Sequence, residues 1–279
     1  DLGYGQPSIV VAWVVAAVTA IAFLRVESTH HDPMLDLSLF RSASFTTVML
    51  VGVAAMFGFV GIALLSVLHM QRVNGHDALG AGVRLMSMMV PYILVSAVTA
   101  RILRSVGYTV TLTAGLVLTG AGAFSLLWNG ADDGYRHMWP GLALTGIGTA
   151  LVVSASTAAA VNSVSPLQAG MASATVNLFR QLGAMLGPAV LGTIATSRFP
   201  TLLADDLASR GLPADTATSI ATAVSHGQAP PTDGVTLGLL DHAVPEAFAT
   251  AVHSALLTGG VVLLAVAVLA ALFVRQRRP

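Results

Sequence analysis

The stretch SPLQAGMASATVNLFRQLGAMLGPAVLGTI, residues 165–194, decides how the rest of the chain reads. Within it, 171–196 is a run long enough to cross a bilayer, which takes roughly 20 apolar residues. Its one charge, Arg180, stands about nine residues in, on the order of 13 Å along a helix rising 1.5 Å per residue. Asn177 at i−3 and Gln181 beside it make a polar band with Arg180 on an otherwise apolar helix. An ionised side chain inside a span costs several kcal/mol unless it faces protein, water or a partner. That band is therefore a candidate for interhelical hydrogen bonding, for a gate or for ligand contact. Gly183 and Gly187 form a small-xxx-small pair that lets a neighbouring backbone approach closely, and Pro188 predicts a kink by removing a backbone hydrogen bond.

Composition extends this reading to the whole chain. Of 279 residues, 55% are hydrophobic and only 9% charged, with 13 basic and 13 acidic residues and no cysteine; mean hydropathy is +0.79. A soluble domain carries about a quarter charged residues, so the class indicated is all-α and polytopic in a membrane. A basic nucleic-acid face and an acidic scaffold are excluded on the same ground. Without cysteine there is neither a disulfide framework nor a thiolate metal site. His30, His31 and Asp32 are too close in sequence to close a coordination shell, so no metal and no cofactor is expected. All basic residues are Arg, which suggests a high-GC bacterial gene and hence a bacterial cell (inner) membrane.

Seven runs qualify as spans: 7–24, 45–68, 79–100, 108–128, 139–164, 171–196 and 247–274. Basic residues near span ends stay in the cytoplasm. One set of loops holds Arg25, Arg41, Arg101, Arg104, Arg275, Arg277 and Arg278; the other holds Arg72, Arg136, Arg198 and Arg210. The bias predicts a cytoplasmic C-terminus and an N-terminus outside. Residues 25–44 read as a cytoplasmic linker on the membrane interface, with Met34, Leu35, Leu37, Leu39 and Phe40 interleaved with Asp36 and Arg41. Residues 197–246 read as an extracytoplasmic loop rich in acids, with short helices at 201–209 and 213–226, each ended by a glycine, Gly211 or Gly227.

Every carboxylate is placed outside the spans by this division, so the chain offers no intramembrane acid of the kind that relays protons. His69 and His253 fall near span ends, at headgroup level. Arg84 lies about six residues from the outer end of the third span, within snorkelling reach, and Pro91 predicts a kink there. The ligand-contact candidates are Met86, Met89 and Tyr92 on one stripe of that helix, and Ser154, Thr157 and Asn162 along the fifth. Methionine adapts to varied ligands, although the same stripe also suits packing or lipid. No converging nucleophile, acid and base point to an enzyme.

Three stretches carry a resemblance. DPMLDLSLFRSASF, 32–45, resembles the "P-L-L-D-L-x-L-F-R-x-x-x-F" connector that precedes the C-terminal six helices of EmrB/QacA-type drug:proton antiporters, the 14-span branch of the major facilitator superfamily. The opening stretch, 165–194, is similar to that family's "A-G-x-A-S-x-x-x-N-x-x-R-Q-L-G" signature. ALGAGVRLM, 78–86, resembles its "A-L-x-A-G-L-R-L-L-P" helix start. The resemblance implies that 1–24 is a central linker helix and 45–279 the six-helix C-terminal transporter domain. It further implies alternating access by rocking of two halves about a cavity lined by spans two, three, five and six. Amphipathic or cationic small molecules would be exported against protons, the coupling carboxylate belonging to an N-terminal half not among these residues. Arg84, Asn177, Arg180 and Gln181 fall on motif positions, as structural or gating candidates. The connector 99–109 keeps the superfamily loop's Arg and Gly but not its Asp, and Gln168 stands where an acid is common. Another solute carrier of the superfamily, or a membrane scaffold subunit, is the alternative.

Overall fold

Apolar runs of this length have one way to satisfy their backbone inside a membrane, which is to hydrogen-bond within a helix, and the computed structural model is helical wherever those runs occur. It describes residues 7–29, 37–130, 134–228 and 234–274, and no strand occurs among them. The helices are α1 (Pro7–Thr29), α2 (Ala43–Arg72), α3 (Ala78–Val106), α4 (Tyr108–Ser125), α5 (Tyr135–Asn162), α6 (Ala169–Ser209), α7 (Ala214–Ser225) and α8 (Gly234–Phe273). Six of them, α2 to α6 and α8, have the length and apolarity to cross a membrane; they answer to the expected spans two to seven. The first expected run lies in α1, which continues past Arg25 and Glu27 to Thr29.

Along α1, Val10, Val11, Val14, Val15, Val18 and Ile21 point to several sides and are each 48–60% exposed, while Glu27 near its end is buried. The other six spans form a bundle with an internal two-fold pattern. α2 packs along α6 as α3 packs along α5; α4 lies on α5 as α8 lies on α2; α2 meets α5, and α4 meets α8. Exchanging α2, α3 and α4 for α5, α6 and α8 reproduces this list of neighbours, the arrangement of a repeated three-helix unit.

Glycine makes the close seams. Gly115 and Gly148 face each other, as do Gly122 and Gly141, so that a Cβ on any of the four would come within 2.4–2.9 Å of an atom of the facing helix. Their numbers sum to the same value, the register of an antiparallel pair. On the α2 side of α6, Gly183 lies against Val53 and Gly187 against Phe57, which is where the small-xxx-small pair was expected. Pro91 and Pro188 lie inside continuous helix, each denying a hydrogen bond to the carbonyl four residues back.

Three connections differ from the sequence expectation. α3 runs through the expected connector to Val106, and a single residue, Gly107, turns the chain into α4. With φ at 83° and ψ at 174°, Gly107 occupies a region open essentially to glycine alone. In the linker before α2, Met34, Leu35 and Asp36 lie outside the described residues, as do His30, His31 and Asp32. The 3-10 turn Leu37–Arg41 tucks Leu39 and Phe40 against the core instead of leaving them at an interface. Phe40 meets Phe45 and Phe179 at 5.5 and 5.6 Å between ring centroids.

The segment 197–246 is mainly helix, not loop. The piece expected at 201–209 is the unbroken end of α6, because Leu203 and Leu207 continue the buried stripe of Leu191, Ala195 and Phe199. The second expected piece is α7. Both end as expected, with Gly211 at φ 100° and Gly227 at φ 70°. In each case the next amide bonds five residues back, Leu212 to Leu207 and Gln228 to Ala223, closing the carbonyls a helix end leaves open. α8 begins at Gly234, so Asp205, Asp206, Asp215, Asp241 and Glu246 all stand on helices. Phe199 and Phe248 pack edge to face at 5.6 Å, and Arg210 joins Asp206 at 2.8 Å to Glu246 at 2.6 Å.

Candidate functional site

α6 presents two faces. Its buried stripe, Val176, Gly183, Gly187 and Leu191, lies against the bundle, while Asn177, Leu178, Gln181, Leu182, Met185 and Leu186 are exposed. Arg180 stands between the two and reaches across to the last third of α5. Its Nη2 donates to the Val153 carbonyl, to Ser156 Oγ at 2.8 Å and to Thr157 Oγ1. The two hydroxyls also turn back onto the Val153 carbonyl, each at 3.3 Å, so one guanidinium nitrogen is met by three oxygens from a single turn. A charged donor shared with backbone and hydroxyl acceptors is the solution available to an intramembrane arginine without an acid.

The surroundings confirm a fitted position. Gly52 of α2 lies beneath the arginine stem, where a Cβ would stand 3.4 Å from Arg180 Cγ. Tyr92 of α3 meets Phe59 of α2 at 5.3 Å between ring centroids, tilted by 41°. Arg180 Nε is buried with no hydrogen-bond partner. Among the described residues no carboxylate is paired with Arg180. Three spans, α2, α5 and α6, thus meet at one cation.

Of the residues singled out from sequence, the structure brings together Arg180 and Thr157, with half-buried Ser154 adjoining Val153; Tyr92 meets Phe59. Arg84 is elsewhere. It donates to the Gly80 carbonyl at 3.1 Å, lies 5.7 Å from the Tyr135 ring centre, and its own carbonyl accepts from the Tyr135 hydroxyl at 2.9 Å. Tyr135 and Val153 are 18 residues apart on α5, about 27 Å at 1.5 Å per residue, so the two arginines serve opposite ends of the bundle. Met86 is 52% exposed while Met89 packs against the core, which splits the expected Met86, Met89 and Tyr92 stripe. Asn162 is a tie between helices, donating to the Tyr108 hydroxyl at 2.8 Å. Asn177 and Gln181 point away from Arg180's acceptors, on the exposed face.

Sequence reasoning missed Ser156, the Val153 carbonyl, Gly52 and Phe59. Ser156 adjoins Thr157 and could have been read with it; a backbone acceptor leaves no signature. It also placed His69 and His253 separately at headgroup level. His69 is instead 2% exposed, and both histidines meet Asn129. Outside the spans, Arg210 is held more firmly protonated, first by its hydrogen bond to Asp206 and then by the charges of Asp206 and Glu246.

Comparison with known proteins follows the same lines. A family model described as Major Facilitator Superfamily matches residues 5–197. A tetracenomycin C resistance and export protein of Streptomyces glaucescens is 29% identical over 276 residues, 96% of this chain and 51% of that protein. A methylenomycin A resistance protein of Streptomyces coelicolor is 30% identical over 71% of this chain and 42% of its own length. The multidrug resistance protein Stp of Mycobacterium tuberculosis is 29% identical over 67% of this chain and 34% of its own length. The chain therefore spans about half, or less, of the curated relatives it matches.

Proposed function

Because the chain belongs to the major facilitator superfamily, we propose that it is the C-terminal half of a drug-efflux transporter of the 14-span EmrB/QacA type, which works by alternating access coupled to proton entry. One observation carries the reading: nearly the whole chain aligns with a protein named for resistance and export. The geometry is in keeping with it. A six-span bundle with an internal repeat leaves the outer faces of α3 and α6 exposed, as a half that rocks against another half requires. α1 is then the linker helix between the halves, the C-terminus is cytoplasmic and the N-terminus of this chain lies outside.

In this reading Arg180 holds α6 to α5 at the cytoplasmic side of the pathway. The Val153 turn keeps the guanidinium in place and Gly52 lies against its stem, so that α2, α5 and α6 move as one body during the exchange of access. Substrates are small amphipathic or cationic molecules, and protons act through residues of the other half, since the acids of α6 and α8, Asp205, Asp206, Asp241 and Glu246, stand toward one end of those helices, away from Arg180. Met86, Gln181 and Asn177, exposed on α3 and α6, are the residues of this half available to a passing substrate.

The test is efflux by the full-length protein in proteoliposomes under an imposed proton gradient, with a panel of lipophilic cations and antibiotics. Gradient-dependent export that falls roughly tenfold in Arg180→Ala, about 1.4 kcal/mol of coupling, is the expected result. Export of every compound tested that ignores the gradient, or an Arg180→Ala protein that transports normally, overturns the proposal.

A further inference from the structure

At the opposite end of α2 from Gly52 and Arg180, three elements meet around a polar cluster inside the bundle. Ser66 and His69 come from α2, Asn129 from the turn that follows α4, and His253 from α8; Leu126, Met138, Val252 and Leu256 complete the wall. Ser66, His69 and Asn129 are each only 2% exposed. The Asn129 amide Nδ2 lies 3.1 Å from His69 Nε2, and His253 Nε2 lies 2.9 Å from the Asn129 backbone carbonyl.

These contacts fix the protons. A carbonyl only accepts, so His253 carries its hydrogen on Nε2. An amide nitrogen only donates, so His69 Nε2 is an acceptor and its hydrogen is on Nδ1. His69 is then neutral, and one residue, Asn129, holds both rings. Two atoms are left over: Ser66 Oγ and Asn129 Oδ1 are buried without a hydrogen-bond partner. Such atoms are costly unless satisfied. The cavity that they line measures about 10 Å³, close to the roughly 10–15 Å³ that one water needs along with at least about two polar partners.

We propose that Ser66, His69, Asn129 and His253 form a water-binding site that locks α2, α4 and α8 together while both imidazoles are neutral, and that proton uptake by His69 releases the lock. A proton on His69 Nε2 would face the donor of Asn129, donor against donor. If the amide turned over to meet it, an imidazolium would still be buried among Leu126, Met138, Val252 and Leu256 with no carboxylate in the lining, beside a second histidine. A buried cation without a partner is strongly destabilising. Neighbouring charges offer no relief. On α2, Arg72 turns to the Phe248 ring at 5.2 Å. On α8, Glu246 is bonded to Arg210. On α5, Arg136 and His137, between Tyr135 and Met138, are exposed. His253 is the titratable group that bears electrostatically on His69.

The intact protein in lipid nanodiscs, labelled with nitrogen-15 at histidine, tests this directly, with His69→Gln and His253→Gln assigning the signals. At about pH 8 the expected result is two neutral rings of opposite tautomer and a water cross-peak to the Asn129 side chain. An imidazolium at either position, matching tautomers or no water contact overturns the site. For the release, spin labels are placed at Trp128→Cys and Thr250→Cys, any cysteine outside residues 1–279, which have none, being replaced by serine. Their distance distribution should keep its narrow form through the range where an ordinary histidine titrates and lose it only as the pH falls to about 4 and below, because burial holds His69 neutral. In His69→Gln, which stays neutral, the narrow form should persist. A distribution indifferent to pH, or one that responds equally in His69→Gln, overturns the release, and the wild-type titration alone decides the matter should that variant not fold. None of these readouts depends on what is transported.

Discussion

Gly183→Ala asks whether the α2 and α6 seam is set by backbone contact. A Cβ at 183 would stand 2.1 Å from the Val53 carbonyl oxygen and 2.8 Å from its carbon, where ordinary contact begins at 3.4 Å. Both obstacles are main-chain atoms, so no side chain can rotate away, and the helices must part locally by roughly 1 Å. One turn on, Gly187 faces the Phe57 carbonyl in the same way and would lose its contact too. A gap of that size forfeits about a quarter to a half of the dispersion attraction along the seam, and overpacking of this kind costs about 1–3 kcal/mol. Against this, alanine gains about 0.5–1 kcal/mol over glycine in a helix. Gly192, on the same helix, supplies the control: a Cβ there meets only Leu64 Cδ2, at 3.7 Å. Gly192→Ala should therefore keep the helix gain without the overpacking cost, leaving the two variants about 1–3 kcal/mol apart. Thermal unfolding of the intact protein in nanodiscs, followed by tryptophan fluorescence, measures the gap. Equal midpoints would refute the argument that backbone proximity holds α6 in place.

Gly107→Ala should destabilise by about 1–3 kcal/mol through strain at the α3 to α4 turn, with unfolding midpoints as the check. Thr157→Val removes one of three acceptors of Arg180 and should cost about 1.5–3 kcal/mol, the range for a hydrogen bond to a charged group; a double-mutant cycle with Arg180→Ala should show the two losses to be less than additive. Asn162→Leu, which unties α5 from the Tyr108 hydroxyl, should cost about 1 kcal/mol and leave efflux by the full-length protein intact. Arg210→Gln breaks the exposed tie between α6 and α8; unfolding midpoints should move little, and less still in high salt, because such pairs are screened.

The spans were legible because length and apolarity are carried by many residues at once. Gly183 and Gly187 announced a seam by their spacing, and Gly211 and Gly227 announced helix ends by position. Arg180 stood out because an isolated charge among 171–196 demands an explanation. Its partner did not stand out, since the Val153 carbonyl is the same group at every residue. The end of α6 was misplaced for a related reason. The expected span stopped at 196 and a separate helix was placed at 201–209, but the buried stripe from Leu191 to Leu207 continues across the gap and packing overrides the local signal. The histidine cluster was illegible because His69, Asn129 and His253 are separated by 60 and 124 residues and meet only through the crossing of α2, α4 and α8.

The unbroken length of α6 makes it a lever. Its 41 residues extend about 60 Å, twice the hydrocarbon thickness of a bilayer, and from Arg180 to Ser209 the arm is about 44 Å long. A tilt of about 5° at the arginine therefore carries the far tip, with α7 attached, through about 4 Å. Motion too small to resolve within the membrane becomes easy to measure above it, and a binder that grips α7 from solution has mechanical purchase on the helix that carries Arg180.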